Sequence, residues 1–175
     1  MTTTEATVAA AGAIVVFWIV GAYNRLVRLR SALVARFAPV DEHHRQRHEL
    51  LERQLDLLSD TLAPAAPRVD ALRAACRQAD AARGHARARP GVVSVVTSLR
   101  VAEDILADAR ARLPVPALSG TEGPDLNAQI ATSDTALAFA RAEFNAAVAA
   151  YNGSVREFPT VLVARLFSFR SAAAF

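Results

Sequence analysis

The apolar positions of this chain fall into two unlike patterns. Ala6 to Asn24 carries no charge and centres on Ala13-Ile14-Val15-Val16-Phe17-Trp18-Ile19-Val20. From Tyr23 onward a helical pattern sets in, its positions recurring at threes, fours and their sums: Leu26, Leu29 or Arg30, Leu33, Phe37, Val40, His44, Leu51, Leu55, Leu58 and Leu62. The first pattern is apolar all round and suits lipid. The second is a single helical stripe and suits a core. As a helix, the first stretch spans about 28 Å, close to the thickness of a bilayer's hydrocarbon.

The stripes continue along the chain. Pro39 predicts a kink or short break in the first helix. Pro64-Ala65-Ala66-Pro67 predicts its end. A second helix is expected over 68–83, with Val69, Leu72, Cys76 and Ala79 inward. Gly84 to Gly91 reads as a basic turn. A third helix is expected over 92–112 on Val92, Val95, Val96, Leu99, Leu106 and Leu113. Pro114 to Pro124 reads as the longest loop. In the last helix Ile130, Leu137, Phe144, Tyr151 and Phe158 stand seven apart, and Val148, Val155 and Leu162 repeat the period four positions on. That is a coiled-coil-like seam. Pro159 ends or kinks this helix, and Thr160 to Phe175 is an apolar tail expected to fold back. The alternative sets Phe167, Phe169 and Phe175 at a membrane interface. No strand-type alternation competes. The predicted class is all-α, an N-terminal transmembrane helix (1–24) running on into an antiparallel three- to four-helix bundle (25–158) with a tail (159–175).

Charge gives the anchor a direction. Arg25, Arg28, Arg30 and Arg36 follow the apolar stretch, whereas Glu5 is the one charged side chain before it. A signal peptide has the opposite order and a small-residue cleavage site, and Gly21-Ala22-Tyr23-Asn24-Arg25 is a poor one. The positive-inside rule therefore sets the N-terminus outside and the domain in the cytoplasm. Trp18, Tyr23, Arg25, Arg28 and Arg30 are the expected membrane-interface residues. Residues 25–47 hold six arginines against Asp41 and Glu42, and residues 68–89 hold six against Asp70 and Asp80. The first block makes anionic lipid a candidate partner. Neither block interleaves aromatics or carries a nucleic-acid motif, so no nucleic acid is expected.

Composition narrows the chemistry. All twenty basic residues are arginine. Without lysine there is no phosphate-loop lysine, no kinase-type ATP lysine and no Schiff base. The single Cys76 forms no internal disulfide and reads as a small buried hydrophobe. No serine sits in a nucleophile elbow. Glu103-Asp104 and Asp108 are carboxylates among Arg100, Arg110 and Arg112, which points to surface ion pairs. One set has metal-ligand spacing: His44, His48 and Glu52 lie at i, i+4 and i+8 on one helix face. It is not HExxH, and Arg45, Arg47 and Arg53 oppose a cation. The set reads as a polar helix face, and no metal, cofactor, catalytic residue or small-molecule substrate is expected.

The two ends of the chain resemble the LemA family. Tyr23-Asn24-Arg25-Leu26-Val27-Arg28-Leu29-Arg30 is similar to its YN-x-LV-x-LR segment. Phe37, Val40, Asp41 and the run Arg45 to Leu51 resemble its continuation. Ala140-Arg141, Phe144-Asn145, Val148, Tyr151-Asn152, Phe158-Pro159 and Ala164-Arg165-Leu166-Phe167 with Phe169 resemble its closing pattern. Glu52-Arg53 stand where the family has Pro-Asn, Phe144 for a tyrosine, Phe37 for a tryptophan, Ser31 for an asparagine and Ser168 for a glycine. Residues 60–120 carry little of the pattern. The resemblance implies a single-pass protein of the bacterial inner membrane, N-terminus out, with a cytoplasmic helical bundle and no established enzymatic activity. A non-enzymatic scaffold with a protein partner is the expected function. Lipid-surface binding or membrane remodelling, and a metal-binding or enzymatic bundle, are the alternatives.

Overall fold

In the computed structural model, which describes residues 3–61, 66–113 and 122–175, the chain is all helical. Helix α1 spans Thr3–Thr61, α2 Ala66–Ala88, α3 Val93–Ala111, α4 Glu122–Arg156 and α5 Thr160–Leu166, with no strand among the described residues. Helix α1 packs against α4 and α2, α3 packs against α2, and α5 rests on both α1 and α4. The core is continuous, and Phe37, Phe144, Leu26, Leu51, Leu72 and Leu99 are among its largest fully buried side chains.

The first part of α1 stands outside that core. It holds a stretch long and apolar enough to cross a membrane, and none of that stretch is buried. Ile14 and Phe17 are 69 % and 78 % exposed. Burying such side chains is worth roughly 1.5–3 kcal/mol each, and packing within the domain leaves that gain unrealised here. This is compatible with a single-pass membrane anchor.

Pro39 lies inside an unbroken α1, so of the kink or short break expected from sequence the break is absent. A proline inside a helix costs about 3 kcal/mol. Its ring is exposed, while Phe37 and Val40 beside it are buried. Their burial on both sides of the proline offsets that cost. Just beyond it, Glu42 is held by Arg45 and Gln46, and Arg45 also pairs with Glu49. These one-turn pairs support the helix where its backbone ladder is weakened.

The basic turn expected from Gly84 to Gly91 shrinks to Arg89–Gly91, because α2 runs on to Ala88. Ala82 and Ala86 are buried one turn apart, and one interior glycine costs only about 1 kcal/mol. Gly91 has φ 79°, and a Cβ there would sit 3.1 Å from Ala172 and 3.2 Å from Leu33. The proposed Pro64–Pro67 break is only partly described: Ala66 and Pro67 open α2, and Pro64 and Ala65 lie outside the described residues, as does Leu62. Likewise Gly123 and Pro124 belong to the first turn of α4, and the rest of the Pro114–Pro124 loop lies outside the described residues up to Thr121.

The seam of α4 buries Ile130, Leu137, Phe144, Tyr151, Val148 and Val155. Its last members do not follow. Phe158 is 77 % and Leu162 54 % exposed. Helix α4 stops at Arg156, a cis peptide joins Phe158 to Pro159, and α5 starts at Thr160. The seven-residue register cannot pass that interruption, so α5 turns Thr160, Val163 and Ala164 inward instead. In α3, Val92 and Val93 are exposed and the stripe is Val96, Leu99, Ala102 and Leu106.

After α5, Ser168 takes φ 57°, in the left-handed region. A side chain there costs roughly 1–2 kcal/mol, whereas glycine is at ease. Ser168→Gly is therefore expected to raise stability by about 0.5–1 kcal/mol, the relief exceeding glycine's entropic cost. A denaturant midpoint that stays put or falls would refute this.

Candidate functional site

Two constructions organise the polar side chains. The first holds the tail. Asn152 Nδ2 donates to the Ala172 carbonyl at 2.8 Å, and its Oδ1 accepts from the Ala172 N–H at 2.8 Å. Asn145 does the same for Phe175, at 3.3 and 2.9 Å. Each asparagine thus satisfies both backbone groups of one extended residue. Between them the Ala173 N–H donates to the Gly91 carbonyl at 2.9 Å, and the Tyr151 hydroxyl donates to the Arg170 carbonyl at 2.9 Å. Tyr151's partner is therefore the tail backbone. Phe175 then reaches Phe144 and Phe37, at ring distances of 5.5 and 6.4 Å, under the Arg141 guanidinium.

The second is a belt of charge around the middle of the domain. Glu103 of α3 is 7 % exposed and faces α1. Its Oε1 lies 3.2 Å from His44 Nδ1 and 3.4 Å from His48 Nε2. Its Oε2 accepts a hydrogen bond from Arg47 and lies 3.6 Å from Arg141 Nη2. The belt continues on both sides. Arg47 reaches Asp134 at 3.6 Å, and Asp134 accepts from Arg110 at 3.0 Å. His48 Nδ1 stands 3.8 Å from Asp80, Asp80 accepts from Arg83, and Arg83 donates to Asp41 at 2.7 Å. All four long helices contribute.

The protonation pattern follows from the geometry. Burial alone would raise the Glu103 carboxyl, but the contacts from His44, His48 and Arg47 outweigh it and hold the group far below the usual carboxylate range. His44 goes the other way: burial pushes its imidazole down, and Glu103 only partly restores it. Arg141 always donates, so the 3.2 Å contact of its Nη2 makes His44 Nε2 the acceptor and leaves the proton on Nδ1, facing Glu103. Beneath the belt Cys76 is buried, and burial lifts its thiol to about 11, which makes it inert.

Of the candidate metal set, His44 and His48 come together but Glu52 does not join them. It is exposed on α1. Glu103 takes its place, and one atom from each of His44, His48 and Glu103 lies within 4.8 Å of the others. His44 and His48 are buried, not a solvated polar face. An ion at this point would need the His44 Nδ1 lone pair, where the contact to Arg141 places a proton. It would also meet two guanidinium groups already engaged by the one carboxylate. The arrangement as built is a charge network. Glu103 also departs from the surface pairing expected for its cluster, whereas Asp108 pairs with Arg112 at 2.6 Å as expected. Sequence spacing could not find Glu103, because the two histidines it meets lie 55 and 59 positions away on another helix. The one signal is that a glutamate occupies the buried stripe of α3 between Leu99 and Leu106.

An all-helical domain built along one long N-terminal helix, with an apolar stretch and a clasped tail, is the class that fold and site define. The chain belongs to the LemA family, whose model matches residues 68–175. The match takes in the closing pattern of α4, α5 and the tail. It also covers α2 and α3, where the motifs are sparse, and begins after α1. No curated protein and no solved structure matches the chain.

Two outcomes are expected. Glu103→Gln should cost about 3–5 kcal/mol, because Arg47 loses a buried partner, while Glu52→Gln should stay within about 0.5 kcal/mol. Equal denaturation midpoints for the two variants would show that the belt carries no such energy. Asn152→Ala should cost about 1–3 kcal/mol and speed amide exchange at Ala172 and Ala173. Unchanged exchange there would mean that the clasp does not hold the tail.

Proposed function

We propose that this protein is a non-enzymatic scaffold, fixed to the membrane by the first part of α1 and presenting its helical domain for docking by other proteins. One observation carries the reading. The apolar stretch of α1, exposed along nearly all its length, continues without interruption into the helix that forms a wall of the core. The domain is then held at a set angle and distance from the bilayer, which is what a docking platform requires. Arg25, Arg28 and Arg30 favour an N-terminus outside and a cytoplasmic domain at the bacterial inner membrane.

The helices form, in this reading, an antiparallel bundle with coiled-coil-like packing. Pairs that rise along α1 and descend along α4 support it: Arg25 with Glu157 at 3.6 Å, Arg36 with Glu143 at 3.0 Å and Gln54 with Asn127 at 3.1 Å. The seven-residue spacing of the buried Ile130, Leu137, Phe144 and Tyr151 supports the packing mode. The buried carboxylate of Glu103 is engaged by two arginines, which favours a structural over a catalytic role.

Impermeant maleimide applied to intact cells should label Thr4→Cys and reach Ser98→Cys only after permeabilisation. Both sites are exposed, and the native Cys76 is buried. The reverse pattern would overturn the orientation. Crosslinking in native membranes should capture a specific partner or a second copy, and recovery of neither would overturn the docking role.

A further inference from the structure

Helix α5 is amphipathic and only half used. Thr160, Val163 and Ala164 face the core. On the opposite side Leu162 and Leu166, one turn apart, are 54 % and 70 % exposed. Phe158 before the helix and Phe167 after it are 77 % and 48 % exposed. Four large apolar side chains within ten residues of chain are thus left bare by packing within the domain. Single exposed apolar residues need no explanation, but a contiguous group does.

The position of this group is fixed by its neighbours. The Phe167 ring lies 4.9 Å from that of Tyr23, and the Phe169 ring 5.8 Å from it. Glu157, next to Phe158, pairs with Arg25 at 3.6 Å. Helix α5 is therefore level with residues 23–25 of α1, where the uncharged Ala6–Asn24 stretch ends and the arginines begin. A helix rises about 1.5 Å per residue, so if that stretch crosses the bilayer, α5 lies at the boundary between headgroups and acyl chains. Aromatic and aliphatic side chains belong at that depth. The charges agree. Arg25 and Arg28 on α1 and Arg165 and Arg170 in and after α5 are all exposed, and Glu157 is paired with Arg25.

We propose that α5 and its flanking phenylalanines form a second membrane contact, with Phe158, Leu162, Leu166 and Phe167 seated in the interface of an anionic lipid leaflet beside the anchor. The occupant is lipid because Phe167 joins the patch to Tyr23 at the end of the apolar stretch of α1, and exposed arginines stand next to it at Arg25 and, within α5, at Arg165. The inference rests on the anchor reading, and it adds that the domain lies against the bilayer through two elements. Rotation of the domain about the α1 axis is then restricted, since α5 must stay in the interface. The tail's role follows too: the asparagine clasp fixes the chain on one side of α5 and α4 fixes it on the other.

Trp18 is the sole tryptophan, which makes the test direct. The full chain is reconstituted in bilayers containing anionic lipid and acyl chains brominated at either shallow or deep positions. Three proteins are compared: the native chain, Trp18→Phe with Leu166→Trp, and Trp18→Phe with Phe139→Trp. Phe139 is 69 % exposed on α4. It lies near the level of the Arg36–Glu143 pair, about 20 Å along α1 beyond Tyr23. Shallow bromines should remove about half of the Leu166→Trp emission, as expected for side chains buried in the interface, and leave Phe139→Trp unquenched. Quenching of Trp18 with none at Leu166→Trp would overturn the proposal while the anchor stands. A blue-shifted but unquenched Leu166→Trp would equally overturn it and assign the patch to a protein surface. An unquenched Trp18 would remove the anchor reading and this inference with it.

Discussion

The packing of α1 against α4 is the contact from which the other elements take their places. Leu26, Leu33, Phe37 and Val40 on α1, with Ile130, Leu137, Phe144 and Tyr151 on α4, supply much of the large buried surface. Each such side chain contributes roughly 1.5–3 kcal/mol by leaving water. Their sum makes Pro39 tolerable inside α1. It also brings Arg141 of α4 to His44 of α1 and leaves, beside Phe37 and Phe144, the space that the Phe175 ring fills.

The buried charges play a different part. A carboxylate at the Glu103 position is expensive to desolvate, and a hydrophobic residue of similar size could match or exceed its stability. What an apolar residue could not do is discriminate. Leucine against leucine tolerates a slip of one helical turn along α1. A carboxylate that must meet His44, His48 and Arg47 together tolerates none. The belt therefore accounts best for register among α1, α3 and α4, with hydrophobic packing supplying most of the energy. The same division appears at the tail, where Phe175 adds apolar contact and the two asparagines fix which residues lie where.

Local features were legible in the sequence and long-range pairings were not. The stripes of α1 and α4 and the burial of Cys76 follow from periodicity, because a helix repeats every 3.6 residues whatever its surroundings. The uncharged stretch from Ala6 is equally plain. Whether α1 would break at Pro39 was left open, and the continuation of α2 past Gly84 was not legible, because in each case burial of neighbours decided against the local preference of one residue. Phe158 and Leu162 misled because the heptad count runs on arithmetically where the chain does not. In the candidate cluster, two of three residues were readable, since His44 and His48 share a helix. Glu103 needed the fold, as Asn145 and Asn152 did: an asparagine on a helix face does not announce that it will hold a strand of backbone many residues later.

These constraints combine at the end of the domain nearest Tyr23. There the exposed apolar stretch of α1, the interruption after Arg156 and the clasped tail all meet. A helix that merely tethered a domain would need no such junction, since a flexible linker would serve. Instead Tyr23 sits under Phe167 and Phe169, Arg25 reaches Glu157, and Ala22 is buried. Packing of this kind resists bending of α1 where bending would uncouple the apolar stretch from the domain. The energetic logic therefore favours a rigid junction. A protein whose role is to hold a surface at a fixed place on a membrane gains from that rigidity, and an enzyme that only needed local concentration would not.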